Sequence, residues 1–190
     1  MVYDLVDQYD PILKTPTQQF DFENPPMDPE QLAKDLQETM ISLKGSGLAA
    51  PQVGIPFSVC VAGHHSQPDE IITLFNPRIV DYSGDEYYAE EGCLTFPGLF
   101  LKVKRHEHIR LRCQLENGVT DTISLDGWAA RVVQHEVDHL NGILYQDRAT
   151  RYHLDQAKKQ KVKLDRMRKK NARSAAAWTY DASYPWERSS

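Results

Sequence analysis

From residue 28 to residue 43 the apolar side chains recur every three or four positions, which puts Leu32, Leu36, Met40 and Leu43 on one face of a helix. The start is marked by 28-DPEQ-31: Asp28 caps, Pro29 suits the first turn, and Gln31 completes a capping box. Gly45 and Gly47 are expected to end it. Beyond residue 56 the period becomes two. The runs 57-FSVCVA-62, 71-IITLF-75, 78-RIVDY-82 and 120-TDTISL-125 read as strands, and 109-IRLRCQL-115 alternates Ile109, Leu111, Cys113 and Leu115 with Arg110, Arg112 and Gln114. Turn signals at Ser83-Gly84-Asp85 and Asn117-Gly118 separate them. A second helix runs from about Asp126 to Leu140, closed by Asn141-Gly142, and a third from about Tyr152 to Ala172. Strands that follow one another without intervening helices predict an α+β fold, with antiparallel sheets around a central helix and a further helix near each end.

At 190 residues, 41% of them hydrophobic, the chain suits one globular domain with a sizeable core. No internal repeat or long linker divides it, and no apolar run approaches the roughly 20 residues that cross a bilayer. The opening MVYDLVDQYDPILK is acidic up to Lys14, unlike a secretory or organellar leader, so a cytoplasmic location is expected. Cys60, Cys93 and Cys113 form no disulfide pattern, which fits a reducing compartment. Charge is unevenly spread: residues 151–173 hold ten Lys/Arg against Asp155 and Asp165. That segment is net +8 in a chain of net −5, which leaves −13 for the remainder.

Candidate chemistry lies on the second helix, in 134-QHEVDHLNG-142. Residues four apart are offset by about 40° around a helix axis, so His135 and His139 project from one face and can share a cation. Glu136 lies about 100° round from His135, beside that position, where it can take a proton from a water. The same pattern also suits two histidines capping polar groups on a half-exposed helix, and a third ligand decides between the two. An open catalytic site keeps three protein ligands. Cys60 and Cys113 alternate with apolar neighbours inside strands and read as core thiols. Cys93 lies in the loop 90-EEGCLTFPG-98, where flanking glycines let backbone approach a ligand, and is the third candidate. Ligand type alone points to zinc.

Three segments, 45-GSGLAAPQVG-54, 91-EGCLTFPG-98 and 135-HEVDHLNG-142, closely resemble in order and separation the signature motifs of peptide deformylases, short forms of which occur in bacteria, organelles and phages. The resemblance covers roughly residues 10 to 148. It implies hydrolytic removal of the N-formyl group from the formylmethionine of newly made polypeptides, with release of formate. It implies Cys93, His135 and His139 as metal ligands, Glu136 as the proton-transferring carboxylate, and Gln52 with the backbone N–H of Leu94 as oxyanion donors. The implied metal is Fe(II), replaceable by Zn(II), Ni(II) or Co(II). The implied substrate, an N-formylmethionyl nascent peptide, lies extended along Ser46, Gly47 and Gly92, its first side chain in a pocket lined partly by Arg131, Val132 and His135. Thr95 replaces a more frequent serine, Arg131 a usually apolar residue, and Phe100 a frequent arginine. Glu91 is expected to support the metal loop by pairing with an arginine or bonding to the loop backbone.

The chain is expected to divide into a deformylase-like catalytic domain over residues 1–150, a basic helix over 151–173 and an aromatic tail over 174–190. The basic helix is expected either to dock on ribosomal RNA or to remain a solvated amphipathic helix with Leu154, Val162 and Leu164 partly packed. No membrane partner is expected, and the compartment is the cytoplasm, that of the host if the source is a phage. Two rivals remain. One is a protease of the HExxH type, which takes its third ligand downstream. The other is a structural metal site in an RNA-binding module, which needs a fourth protein ligand.

Overall fold

The computed structural model describes residues 1–172, so the aromatic tail lies outside the described residues. The first helix, α1, spans Pro29–Ser42, and the Asp28 carboxylate accepts from the N–H groups of Glu30 and Gln31. Gln31 does not complete a capping box. Its side-chain amide donates instead to Asp35, one turn on, at 2.7 Å. Neither predicted glycine ends the helix in a left-handed conformation. Lys44 takes that role at φ +53°, with the N–H of Gly45 reaching back to the Met40 carbonyl and that of Lys44 to Ile41. Gly45 is required for a different reason: a Cβ there would stand 2.8 Å from Leu94 Cδ1.

One five-stranded antiparallel sheet follows, its strands in sequence order: β1 Gly47–Ala49, β2 Val59–Ala62, β3 Ile72–Glu91, β4 Leu101–Gln114 and β5 Thr120–Asp126. The short β1 was not expected, and it forms one edge of the sheet. The predicted runs 71–75 and 78–82 are parts of β3. Asn76 holds the kink between them at φ +49°, its side chain bonded to both backbone groups of Phe20 and to Gln114. The expected turn at Ser83-Gly84-Asp85 does not form. The strand continues through it, and Gly84, at φ +71°, absorbs a register shift opposite His106 and His108. The Asn117-Gly118 turn does form, with Gly118 at φ +77° and the Leu115 N–H bonded to Val119 O. β4 starts eight residues before the predicted run. Its inward face includes Arg105 between Val103 and Ile109, so the apolar alternation is broken by one buried cation.

The sheet is covered on both faces. Leu48, Val59, Val61 and Phe75 pack with Leu32, Leu36 and Met40 of α1. Ala49, Cys60, Leu74, Ile109, Leu111 and Cys113 pack with Ala130, Val133, Val137 and Leu140. The latter four belong to α2, Gly127–Leu140, which ends in a left-handed Gly142 (φ +70°), the N–H of Ile143 returning to Asp138 O. Cys60 and Cys113 are thus core thiols, as their alternation implies. A third cluster joins Leu13, Phe96, Leu99, Leu101, Val103 and Tyr145. Tyr145 opens the one-turn helix α3, Tyr145–Arg148, and the basic α4, Arg151–Ala172, adds Leu154 and Ala157 to the same cluster. Further along α4, Val162 and Leu164 are 47% and 40% exposed.

Candidate metal centre

Burying α2 against the sheet carries His135, Glu136 and His139 inside, at 7%, 4% and 1% exposure. The loop after β3 delivers Cys93 to the same point. The candidate ligand atoms of Cys93, His135 and His139 all lie within 4.8 Å of one another, and Cys93 Sγ is 3.3 Å from His139 Nε2. One ring is oriented from behind. His135 Nδ1 meets the Glu91 carboxylate at 3.0 Å, which leaves its other nitrogen for the shared point. His139 Nδ1 is buried with no partner among the described residues. A soft thiolate with two imidazoles suits a divalent transition metal, so the residues present fit such an ion.

Glu91 is the hub behind the centre. It accepts from Arg105 Nε at 2.9 Å and Nη2 at 3.0 Å, and from Arg131 Nη1 at 2.7 Å. Arg105 also donates to Asp138, whose carboxylate takes a further 2.7 Å bond from Arg148. Burial opposes ionisation of Glu91, but the bonds from His135 and Arg105 outweigh it and hold the carboxyl well below its ordinary range. Burial likewise opposes a charge on His135, yet its bonds to Cys93 and Glu91 raise its pKa. His139 is lowered, by burial first and then by the charge of His135. Glu136 has no such partners. Burial is the main cause that pushes its carboxyl up to about 7, and its Oε2 is buried with no partner among the described residues.

Gln52 is fixed at both ends of its amide: Oε1 accepts from the Ala49 N–H at 2.8 Å, and Nε2 donates to Thr95 Oγ1 at 3.1 Å and to Cys93 Sγ at 3.5 Å. Thr95, in place of the frequent serine, therefore keeps the hydroxyl in use. Gly47 faces Glu136 so closely that a Cβ would stand 2.3 Å from its Oε1. A cleft of about 550 Å³, measured out to its open mouth, is lined by Ser46, Gly47, Gln52, Gly92, Cys93 and Leu94. Arg131, Val132, His135 and Glu136 line it as well. Every candidate site residue therefore borders one cleft except His139, which joins through Cys93. Sequence reasoning missed Arg105, Asp138 and Arg148, and for Glu91 it foresaw an arginine but not the bond to His135. Trp128 and Glu90, which line the cleft mouth, were also missed. The spacing His135, Asp138, His139 was the one available sign that a second acid lies near the ligand turn.

A buried cluster that could hold a metal, a carboxylate left without a partner among the described residues and an open cleft beside them fit a metal-dependent hydrolase. The comparisons narrow this. The family model for polypeptide deformylase matches residues 2–155, and the chain belongs to that family. It is 44% identical over 140 residues to the peptide deformylase of Dictyoglomus thermophilum, which covers 74% of this chain and 88% of that protein. Among solved structures it is similar to a peptide deformylase from Synechococcus elongatus in complex with actinonin, with TM-score 0.77 and 36% identity over 84% of this chain and 87% of that one. It is also similar to a class I type b enzyme from Acinetobacter baumannii with Met-Ala-Ser bound, with TM-score 0.71 and 32% identity over 78% and 98%. The chain is thus a hydrolase that removes the N-formyl group from the N-terminal formylmethionine of newly made polypeptides, releasing formate. Deformylases are metalloenzymes, and Cys93, His135 and His139 form a group able to hold the ion.

Proposed function

We propose that Cys93, His135 and His139 hold an iron(II) ion, replaceable by Zn(II), Ni(II) or Co(II), and that Glu136, Gln52 and the Leu94 N–H carry out deformylation beside it. The observation that carries this reading is the convergence of one thiol and two imidazoles within 4.8 Å next to a carboxylate with an unpartnered oxygen. A divalent cation held there supplies Lewis acidity and lowers the pKa of a water molecule towards 7. Glu136 accepts the proton of the attacking water and delivers it to the departing amine nitrogen. Its raised pKa suits a group that must both take and return a proton near neutrality. As the formyl carbon becomes tetrahedral, its oxygen gains charge that the Gln52 amide and the Leu94 N–H stabilise, one such donor being worth roughly 3 kcal/mol. Gln52 is already oriented for this by Ala49 and Thr95.

The substrate adds as a strand beside Ser46-Gly47, because β1 is an edge of the sheet, and Gly92 faces it across the cleft. Its first side chain enters between Arg131 and Val132. The chain comprises a catalytic domain over 1–150, a basic helix over 151–173 and a tail over 174–190, and acts in the cytoplasm. Among the described residues no helix is long and apolar enough to cross a membrane. We further propose that α4 docks on ribosomal RNA: its inner side is pinned by Leu154, Ala157 and the Lys161 bond to Pro97 O, which leaves Lys158, Lys159, Lys163 and Arg166 outward. The test of the catalytic reading is an anaerobic assay with formyl-Met-Ala-Ser after iron is restored. Glu136→Gln should retain metal and lose turnover, and full turnover by that variant would contradict the proton-transfer role.

A further inference from the structure

Tyr145 is 1% exposed and has no part in the proposed proton transfer or oxyanion contacts. Its hydroxyl donates to Leu99 O at 2.8 Å, and its ring centroid lies 5.4 Å from that of His135 and 6.0 Å from that of Phe96. It therefore packs beside both halves of the centre at once, the imidazole carried by α2 and the loop that runs from Cys93 to Leu99. Within that loop the Phe96 N–H returns to Cys93 O at 3.0 Å and the Leu99 N–H to Phe96 O at 3.2 Å, so two successive turns carry the position of Leu99 back to Cys93. A second bond onto the loop comes from α4, whose Lys161 Nζ donates to Pro97 O at 2.9 Å. Apolar packing does not call for the Tyr145 hydroxyl, because its cluster is made of side chains such as Leu13, Phe96, Leu101, Val103 and Ala157. A buried hydroxyl costs free energy unless it is bonded, and this one spends its proton on the loop.

Resting on the metal-binding reading, we infer that Tyr145 is a positioning residue of the centre: with Lys161 as a weaker second pin, it sets the Cys93 thiol in register with the two imidazoles. Metal–ligand distances hold to within about 0.2 Å, whereas a loop thiol and a helix face have no covalent reason to keep that spacing. Glu91 fixes His135 through Nδ1, and Tyr145 ties the same ring to the far end of the Cys93 loop. Removing the hydroxyl therefore weakens metal binding through the thiol, without touching any ligand.

The experiment measures the Kd for Co(II) of the full chain by competition with a chromophoric chelator, together with the thiolate-to-cobalt absorption band at saturating metal. Tyr145→Phe keeps the ring and should raise that Kd roughly tenfold, as loss of a residue that orients a ligand does, and weaken the band. Lys161→Ala removes only an exposed bond and should raise the Kd about threefold, the low end of what one hydrogen bond is worth. Leu32→Ala, in the cluster on the α1 face, loses stability without touching the loop and should leave Kd and band unchanged. A Tyr145→Phe protein that is less stable yet holds Co(II) with wild-type affinity and an unchanged band overturns the inference, because packing alone predicts that result. So does an equal rise in Kd in Leu32→Ala. If Tyr145→Phe does not fold, Lys161→Ala decides, and wild-type affinity there overturns it. A wild type that binds no Co(II) overturns the metal reading itself, whereas equal affinity in wild type and variants removes the positioning role alone.

Discussion

At the scale of single residues, the candidate ligands were legible because His135 and His139 sit at helical spacing and Cys93 lies in a glycine-flanked loop. Their support was not. Glu91, Arg105, Asp138 and Arg148 form one chain of ion pairs between residues 10 to 33 positions apart, and only the fold brings them together. Glu91→Ala leaves Arg105 and Arg131 as buried charges without their carboxylate, and should cost about 3–5 kcal/mol in urea unfolding. Glu136 carries the opposite liability. Burial pushes its carboxyl up to about 7 from the ordinary 4.5, so ionising it costs stability that is lost progressively as pH rises from about 4.5 through 7. In the metal-free protein, Glu136→Gln should therefore be no more stable than wild type at pH 4. At pH 8 it should be more stable by roughly 3 kcal/mol, which denaturant titration at both pH values checks. Gly47→Ala should lower kcat strongly, since the added methyl displaces the Glu136 carboxylate, and kinetics on formyl-Met-Ala-Ser would show it.

At the scale of elements, α1 was readable from its 3.6-residue period and its Asp28 cap, α2 from its closing Asn141-Gly142, and α4 as a range from about Tyr152 to Ala172. Strands were harder where a buried polar residue or a glycine interrupted the alternation. Arg105 concealed the first half of β4, and Gly84 read as a turn when it is a bulge inside a continuous ribbon. The end of α1 shows the same competition. Two glycines stood at the expected place, yet the left-handed position fell on Lys44, because Gly45 and Gly47 make room for Leu94 and Glu136. Lys44→Gly should thus stabilise the protein by up to about 1 kcal/mol without altering activity, since glycine relieves the strain at φ +53°. Thermal unfolding with parallel activity assays decides it.

At the scale of the whole molecule, charge is divided between a basic segment over 151–173, net +8, and the rest of the chain, net −13, and residues 151–172 of that segment form α4. Reversing Lys158, Lys159, Lys163 and Arg166 to glutamate spares the contacts of Leu154 and Ala157. It should weaken ribosome co-sedimentation at fixed salt and flatten its salt dependence, whereas unchanged sedimentation would remove the docking proposal. The proposed metal centre is the point where this architecture is most exposed to test, because it would unite a loop after β3 with two turns of α2, over forty residues away in the chain. X-ray absorption on the iron-loaded protein measures that union. The prediction is one sulfur at about 2.3 Å with two nitrogens near 2.1 Å, the sulfur vanishing in Cys93→Ala. A shell without sulfur, or one closed by a fourth protein ligand, would contradict it.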